Sequence, residues 1–381
     1  MTKIYFDNNA TTPLAPEVKD VLKEYNESSF GNPSSIHWAG QEARKLLNQA
    51  RDQIAHLLNC EEQEIIFTSG ATESINTALR GLASLAQGEK KEIVSSPVEH
   101  HATLKTLEVL KQEGFPVHFL KIDRRGNFDL EELKEKITEK TLLCSLMWAN
   151  NETGNIYPIE EVGKICRERG VFFHCDAVQA IGKLPLSLKN VAIDFLSLSA
   201  HKFHGPKGTG LLYVRRGCKF APLIRGGNQE RNLRAGTQNL GGILGMAKAL
   251  ELSYSSLDES CVNILKIKDK IESFVLKEIP GVELNGDLEH RLCNTSNFWV
   301  QGVDGESLLF NLDLEGIAVS AGAACESGSI DPSHVLMAMG RSAKEAKASL
   351  RISLSKYNSM EEVGTFLSVL PKIIGRIRKR T

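Results

Sequence analysis

The sequence lacks any apolar run near the roughly 20 residues that cross a bilayer, and its opening Met1-Thr2-Lys3 lacks a signal-peptide core. It also lacks an excess of charge of either sign, because 46 Lys and Arg residues are balanced by 47 Asp and Glu residues. This balance gives no general electrostatic reason to expect nucleic acid or an anionic membrane as a partner. We therefore predict a cytoplasmic protein whose partners are small molecules and proteins.

Cysteine patterns typical of metal sites are also missing. The eight cysteines include no Cys-x-x-Cys pair and no metal-finger spacing, so no metal site is predicted. Most of them are expected to be small buried hydrophobic residues. Hydrophobic residues make up 41% of the chain and charged residues 24%, which excludes long disordered tracts. A chain of 381 residues is long enough for two domains.

Apolar and β-branched runs alternate with helical patterns up to residue 252. Strands are predicted at 64–68, 92–95, 117–122, 142–148, 171–176, 194–198 and 210–214, and helices at 35–58 and 242–252. The strands are nearly continuous apolar runs, which is typical of a sheet covered by helices on both faces. The sequence therefore predicts an α/β fold with three αβα layers around a mainly parallel sheet.

A polar patch of serine and acidic residues at 253–260 interrupts this pattern. We place a domain boundary there, with residues 15–257 forming a large cofactor-binding domain and residues 1–14 and 258–381 a small domain. The small domain mixes helices with strands predicted at 297–300 and 317–320, which indicates an α+β arrangement.

A turn of small and hydroxyl residues, Thr68-Ser69-Gly70-Ala71-Thr72-Glu73-Ser74, follows a predicted strand and opens a helix. The N–H groups and the dipole at such a helix start favour an anion, so we expect a phosphate here. The alternative is a simple N-cap by Ser69 or Thr72. The Gly-Lys-Ser/Thr ending of a P-loop is missing.

Two charged residues end later strands. Asp176 closes an apolar strand, where a carboxylate needs either a cation, such as a protonated pyridine nitrogen, or backbone donors. Lys202, in Ser199-Ala200-His201-Lys202, is either a surface lysine or a desolvated nucleophile at the sheet edge where open α/β folds bind ligands. A phosphate site, an aspartate and a lysine at strand ends, in this order, predict pyridoxal 5'-phosphate bound to Lys202 as a Schiff base.

The chain resembles the cysteine desulfurases, which are aminotransferase-like enzymes, and the match runs from Tyr5-Phe6-Asp7-Asn8-Asn9-Ala10-Thr11-Thr12-Pro13 to Arg351-Ile352-Ser353-Leu354. The resemblance implies an aminotransferase-like fold, a homodimer and a place in the housekeeping and nitrogen-fixation branch. It also implies that Asp176 pairs with the pyridinium and that His100 stacks on the ring as a catalytic imidazole. Further cofactor contacts are implied for Ala71, Thr72, Asn151, Gln179, Ser199, His201 and Thr237.

The same resemblance concerns substrate binding and the dimer. It implies that Arg351 and Asn151 hold the substrate carboxylate, although a surface role for His100 and a salt bridge within the small domain for Arg351 remain alternatives. Thr237 lies in the polar loop 225–237, which in the relatives reaches the neighbouring subunit's cofactor. An ordinary surface loop is the alternative.

Cys325 lies in Ala321-Gly322-Ala323-Ala324-Cys325-Glu326-Ser327-Gly328-Ser329, which has almost no bulky side chain to pack and is predicted to be a mobile loop. The resemblance implies that Lys202 removes the α-proton of L-cysteine and that Cys325 takes its sulfur as a persulfide, leaving L-alanine. The sulfur then passes to an acceptor protein, such as an iron–sulfur scaffold or a sulfur carrier, for iron–sulfur cluster assembly or tRNA thiolation. An inert, half-buried cysteine is the alternative.

Some positions depart from the family pattern. Glu326 stands where threonine is common, and its carboxylate disfavours the Cys325 thiolate. Asn228, Ala321 and Ser355-Lys356 also differ, without removing a catalytic group. Two other functions stay open: a selenocysteine lyase or another pyridoxal-phosphate enzyme of this fold, and a silent scaffold that has kept the fold.

Overall fold

The computed structural model describes residues 3–321 and 331–379. Its strands are β1 (Ile4–Tyr5), β2 (Ile65–Thr68), β3 (Glu92–Ser95), β4 (Val117–Phe119), β5 (Thr141–Met147), β6 (Phe172–Asp176), β7 (Phe195–Ser199), β8 (Gly210–Val214), β9 (Val282–Leu284), β10 (Thr295–Val300), β11 (Ile317–Ala318) and β12 (Ser349–Ser353). Its α-helices are α1 (Pro16–Ser28), α2 (Trp38–Leu58), α3 (Ala71–Ala83), α4 (His101–Gln112), α5 (Leu130–Lys136), α6 (Ile159–Glu168), α7 (Leu240–Ser255), α8 (Leu257–Glu278), α9 (Gly305–Leu314), α10 (His334–Ala338), α11 (Ala343–Lys347) and α12 (Met360–Arg378).

A seven-stranded sheet has the order β2-β8-β7-β6-β5-β3-β4. The strands from β7 to β4 pair in parallel, whereas β8 is antiparallel to both of its neighbours. The predicted α/β class and the mainly parallel sheet are therefore confirmed. Because β2 runs in the same direction as β6 and β7, the carboxyl ends of these three strands share one edge of the sheet.

Hydrophobic clusters cover both faces of this sheet. Val94 belongs to a cluster with α1, α2, α6 and α7, whereas the adjacent Ile93 belongs to a cluster with α3 and α4. Successive residues of a strand point to opposite faces, so the sheet is the middle of three layers. A third cluster joins Ile4 and Phe6 to apolar residues of α8, α9, α12, β10 and β12. The domain limits at residues 14 and 257 stay a prediction.

One local expectation differs from the structure. The predicted helix 35–58 begins only at Trp38, because His37 is extended and caps the helix with its ring, and Ile36 is 87% exposed instead of buried. The polar patch at 253–260 contains the break between α7 and α8, which are separated by Ser256 alone. Ser253 and Ser256 donate to carbonyls one helical turn earlier, which explains how a polar patch continues a helical region.

The N-terminal segment after β1 connects the small sheet to the edge of the large one. Asn8 N–H donates to the Ser353 carbonyl at 3.1 Å, and Thr12 N–H donates to the His201 carbonyl at 2.9 Å. Within residues 3–321 and 331–379, no helix is long and apolar enough to cross a bilayer.

Candidate active site

The carboxyl ends of β2, β6 and β7 open into a cavity of about 690 Å³. This volume lies within the range of ligand cavities, about 300 to 1,000 Å³. Residues singled out from the sequence line it: Ala71, Thr72, His100, Asn151, Asp176, Gln179, Ser199, His201, Lys202 and Arg351. Positions almost 300 residues apart in the chain are thus brought to one place.

The first turn of α3 forms one wall of the cavity. Gly70 is the N-cap, and no described side chain caps this helix, so the alternative of capping by Ser69 or Thr72 is not observed. The Ser74 N–H donates to the Gly70 carbonyl, and this bond begins the helical hydrogen bonding of α3. The N–H groups of Ala71 and Thr72 lie before it in the chain. These N–H groups and the positive end of the helix dipole are suited to an anion such as phosphate.

Asp176 ends β6 and accepts a hydrogen bond from the Val178 N–H at 3.0 Å. Burial raises the pKa of Asp176 to about 6, although that hydrogen bond and the charge of Lys202 act in the opposite direction. A protonated ring nitrogen beside this carboxylate would restore its ionised form, because an opposite charge lowers a carboxyl pKa.

Lys202 lies in a short turn that directly follows β7. Its Nζ donates to the carbonyls of Asn9 at 2.6 Å and Ala10 at 2.9 Å. Burial, followed by the charges of Lys183 and Arg351, lowers the pKa of Lys202 to about 7. Lys202 is therefore a partly buried amine that loses its proton near neutral pH, and not a surface lysine.

Asn9 connects several of these groups, and sequence reasoning did not single it out. Its carbonyl accepts hydrogen bonds from Lys202 and from Gln179 Nε2, the latter at 3.0 Å. Its side chain donates to the Asn151 carbonyl at 3.0 Å. Lys183 Nζ donates to Gln179 Oε1 at 3.0 Å. Asn9 therefore ties the N-terminal segment to the lysine and to both predicted amide contacts.

Two histidines of the cavity are neutral at pH 7. His100 caps α4, its Nδ1 accepting the Ala102 N–H at 3.1 Å, so its ring proton is on Nε2. Although the ring is open to the cavity, burial and then Lys202 lower its pKa to about 4. His201 Nδ1 lies 3.1 Å from Thr11 Oγ1, and burial and then Lys202 lower its pKa to about 4 as well.

Arg351 reaches the cavity from β12. Its Nη2 lies 2.7 Å from Asp7 Oδ1, and its Nη1 donates to the Asn151 carbonyl at 3.1 Å. Arg351 therefore forms a salt bridge, which was the alternative expected for it from the sequence, and its side chain also lines the cavity.

A second group of cavity residues had no signal in the sequence apart from the family match. Ser333 donates to the carboxylate of Glu152, and His334 Nε2 contacts the Glu99 carbonyl at 2.9 Å. The rings of His101 and His334 lie 4.6 Å apart. The chain that resumes at residue 331 is thus attached to the cavity wall.

Among the predicted site residues that the structure describes, one is not brought to this cavity. Thr237 is exposed in the loop 225–237 and does not line the cavity. Cys325 and Glu326 lie outside the described residues. In the part of the chain that the structure describes, no three His, Cys, Asp or Glu side chains form a metal-binding group.

The residues present fit pyridoxal phosphate. The start of α3 suits its phosphate, the buried carboxyl of Asp176 suits its ring nitrogen, and Lys202 is an amine with a lowered pKa. Each is a group that this cofactor requires, and all three line one cavity.

Comparisons with known proteins agree with this geometry. The model of the aminotransferase class-V family matches residues 4–366. A cysteine desulfurase of Trichormus azollae is 46% identical over 378 residues, which are 99% of this chain and 94% of that protein. A solved NifS-like protein superimposes with a TM-score of 0.93 at 40% identity, covering 98% of this chain and all of that one. The structure of SspA in complex with cysteine gives a TM-score of 0.83 at 36% identity, and the match covers 94% of this chain and all of that one.

Proposed function

Since this chain belongs to the aminotransferase class-V family, and within it to the cysteine desulfurases, we propose that Cys325 takes the sulfur of L-cysteine as a persulfide and that L-alanine is released. The substrate exchanges its Cβ–S bond for Cβ–H, and Cys325 exchanges S–H for S–SH, so the transfer needs no external reductant. The observation that carries the proposal is the meeting of Lys202, Asp176, Arg351 and the start of α3 in one cavity.

The cofactor is pyridoxal 5'-phosphate, and this chain offers a group for each of its parts. Ala71, Thr72, Ser199 and His201 would hold the phosphate, Asp176 the ring nitrogen and Gln179 the ring hydroxyl. When bound, the cofactor withdraws electrons from the substrate α-carbon, which weakens the Cα–H and Cβ–S bonds.

Lys202 and His100 move protons. With a pKa of about 7, Lys202 Nζ is partly uncharged at neutral pH, so it is able to accept the proton of the substrate Cα. His100 is neutral, and its Nδ1 is occupied by the α4 cap, so Nε2–H is the atom it offers to the cavity.

Arg351 binds the substrate carboxylate, because a guanidinium fork matches a carboxylate in two hydrogen bonds. Asn151 holds this arginine through its carbonyl, at 3.1 Å from Nη1. The Asp7 carboxylate lies 2.7 Å from Nη2 and competes with the substrate carboxylate for the guanidinium.

The working unit is a homodimer in which Thr237 serves the neighbouring subunit's cofactor. Arg234, three residues earlier in the same loop, donates to Glu73 at 2.9 Å and so attaches the loop beside the phosphate-binding turn. Thr237 itself is exposed and available to a second copy.

The persulfide passes to an acceptor protein, such as an iron–sulfur scaffold or a sulfur carrier, in the cytoplasm. The cysteines in the described residues are free thiols, which suits a reducing compartment.

The test measures alanine and sulfide from protein loaded with pyridoxal phosphate, L-cysteine and a reductant. Cys325→Ala is expected to lose at least about 10²-fold in sulfide release, because the attacking thiolate is gone. Cys60→Ala, at a partly exposed thiol that does not line the cavity, is the control and should keep full activity. Undiminished activity of Cys325→Ala with cysteine, or a requirement for selenocysteine, would defeat the proposal.

A further inference from the structure

Lys183 lies beside the active site, and the proposed reaction gives it no role. It stands at the end of the turn that follows β6, directly after Gly182, which has a positive φ of 72°. A Cβ atom at Gly182 would lie 3.1 Å from the Cβ atoms of Phe203 and Ser253, so the turn strongly favours glycine there. Lys183 is partly buried, and it lines a cavity of about 40 Å³ together with Lys202.

The Lys183 side chain returns to Gln179, four residues earlier in the same turn. Its Nζ donates to the Gln179 carbonyl at 3.1 Å and to Gln179 Oε1 at 3.0 Å. Gln179 Nε2 donates to the Asn9 carbonyl at 3.0 Å, and the same carbonyl accepts Lys202 Nζ at 2.6 Å. Hydrogen bonds therefore connect the two lysines through one side-chain amide and one backbone carbonyl.

These hydrogen bonds fix the direction of the Gln179 amide. An ammonium only donates hydrogen bonds, and a backbone carbonyl only accepts them. The amide oxygen must therefore face Lys183, and the amide nitrogen must face Asn9. A rotation of the amide by half a turn would bring two donors together at Lys183 and two acceptors together at Asn9. Burial lowers the pKa of Lys183 to about 8, so this side chain is still mostly an ammonium at pH 7.

The direction of the amide decides what Gln179 offers to the large cavity that it lines. The amide nitrogen carries two hydrogens and Asn9 accepts one of them, so the second is a donor for a ligand. The ammonium on the amide oxygen strengthens this donor, because connected hydrogen bonds polarise one another. A strengthened N–H donor suits an anionic oxygen better than a hydroxyl group.

We propose that Lys183 is a positioning residue that holds the Gln179 amide with an N–H toward the ring oxygen of pyridoxal phosphate, so that the site selects the ionised form of that oxygen. The inference rests on the proposed function, which assigns the ring hydroxyl to Gln179. The positive charge of Lys183 acts in the same direction, because a nearby cation favours an ionised oxygen. No bond is made or broken at Lys183, and it acts on the cofactor through Gln179.

The experiment compares pyridoxal 5'-phosphate with its 3-deoxy analogue, which lacks the ring oxygen. Full-length protein is freed of cofactor, and equilibrium dialysis gives the Kd of each ligand. In Lys183→Met, the preference for pyridoxal phosphate over the analogue should fall at least about fivefold, because the N–H donor is no longer held in place. The Kd of the analogue should change little. Lys183→Arg retains a charged donor and should keep most of the preference.

Lys356→Met is the matched control. Lys356 also lines the small cavity, but its Nζ donates to the Leu252 carbonyl at 3.4 Å, and Lys356 does not line the large cavity. This variant removes a cation at a similar place without touching Gln179, so it should keep the wild-type preference.

Gln179→Glu tests the same selection while Lys183 stays in place, and it serves also if Lys183→Met does not fold. The substitution replaces the N–H donor by a carboxylate oxygen, which repels an ionised ring oxygen. We expect this variant to lose the preference for pyridoxal phosphate and still to bind the 3-deoxy analogue.

Three results would overturn the inference. The first is an equal loss of affinity for both ligands in Lys183→Met, which would mean a general structural role. The second is an unchanged preference in Lys183→Met or in Gln179→Glu. The third is an equal loss of preference in Lys356→Met, which would mean a general effect of charge. These measurements need no turnover, so a protein that shows the preference but forms no alanine would defeat the proposed function alone.

Discussion

Arg351 Nη2 and Asp7 Oδ1 lie 2.7 Å apart, and the arginine side chain is 2% exposed. A buried guanidinium needs a counter-ion, and Asp7 supplies it before any substrate arrives. Under the proposed function, a substrate carboxylate would share Arg351 with Asp7 or displace it.

Substitution of Arg351 should act mainly on substrate binding. Arg351→Lys keeps the charge but loses the fork of donors, so we expect the KM for cysteine to rise at least about tenfold with a smaller change in kcat. Asp7→Asn removes the competing charge at nearly constant size and should lower KM. Initial rates of alanine formation check both, and a KM that rises in Asp7→Asn would contradict the competition.

Asp176 is expected to destabilise the cofactor-free protein above pH 6. Burial raises its pKa from 3.8 to about 6, so the folded state holds the proton more tightly and stability falls as pH rises between these values. Asp176→Asn removes that loss. At pH 8 the substitution should stabilise the cofactor-free protein by up to about 3 kcal/mol. The gain is reduced by the favourable charge interaction between Asp176 and Lys202, which the substitution also removes. Near pH 4 the gain should nearly vanish.

Thermal unfolding of both proteins without cofactor, at pH 4 and pH 8, measures this difference. A lower Tm for Asp176→Asn than for the wild type at pH 8 would mean that Asp176 is a stabilising structural carboxylate. The same variant should bind pyridoxal phosphate more weakly, because the partner of the ring nitrogen is missing.

His100 has a structural role and a proposed catalytic role, and substitution can separate the two. Its ring caps α4, and its Nε2–H faces the cavity. His100→Asn retains a capping side chain and should unfold at nearly the wild-type Tm, yet lose about 10²-fold in kcat. His100→Ala should lose the cap as well, at a cost of about 1 kcal/mol. Equal activity of the wild type and His100→Asn would exclude a catalytic imidazole.

The charged site residues at strand ends could be predicted from the sequence. Burying a charged aspartate or lysine beside an apolar strand costs free energy, so such a residue indicates a partner or a ligand. Asp176 and Lys202 are of this kind. Asn9 was not, because it binds Lys202 and Gln179 through a backbone carbonyl that every residue possesses. The sheet was predictable for a similar reason, since continuous apolar runs have few other uses.

One expectation was wrong because a local cap decides where the helix begins. Ile36 fits the apolar spacing of α2 but lies before the cap at His37. Thr237 does not line the cavity of its own chain, and its contact with the cofactor of a neighbouring subunit stays a prediction.

An ion pair between Glu230 and Arg51 fixes the loop 225–237 to the edge of the large sheet. Glu230 is 4% exposed, binds Arg51 with both carboxylate oxygens at 2.8 and 2.9 Å, and accepts the Phe67 N–H of the edge strand β2. Glu230, Arg231 and Asn232 all have positive φ, a conformation that costs energy for residues other than glycine. The ion pair must therefore offset this strain.

Glu230→Ala should lower the free energy of unfolding by about 3 to 5 kcal/mol, because Arg51 is left buried without its partner. Glu230→Gln should lose less, since its amide oxygen still accepts the Phe67 N–H. The matched control is Glu113→Gln. The side chains of Arg80 and Glu113 are 35% and 45% exposed, so their ion pair should contribute at most about 1 kcal/mol. Urea unfolding gives the energies, and limited proteolysis at 225–237 reports on the loop. Equal losses in Glu230→Ala and Glu113→Gln would show that the buried pair does not hold the loop, and the strained backbone would then need another support.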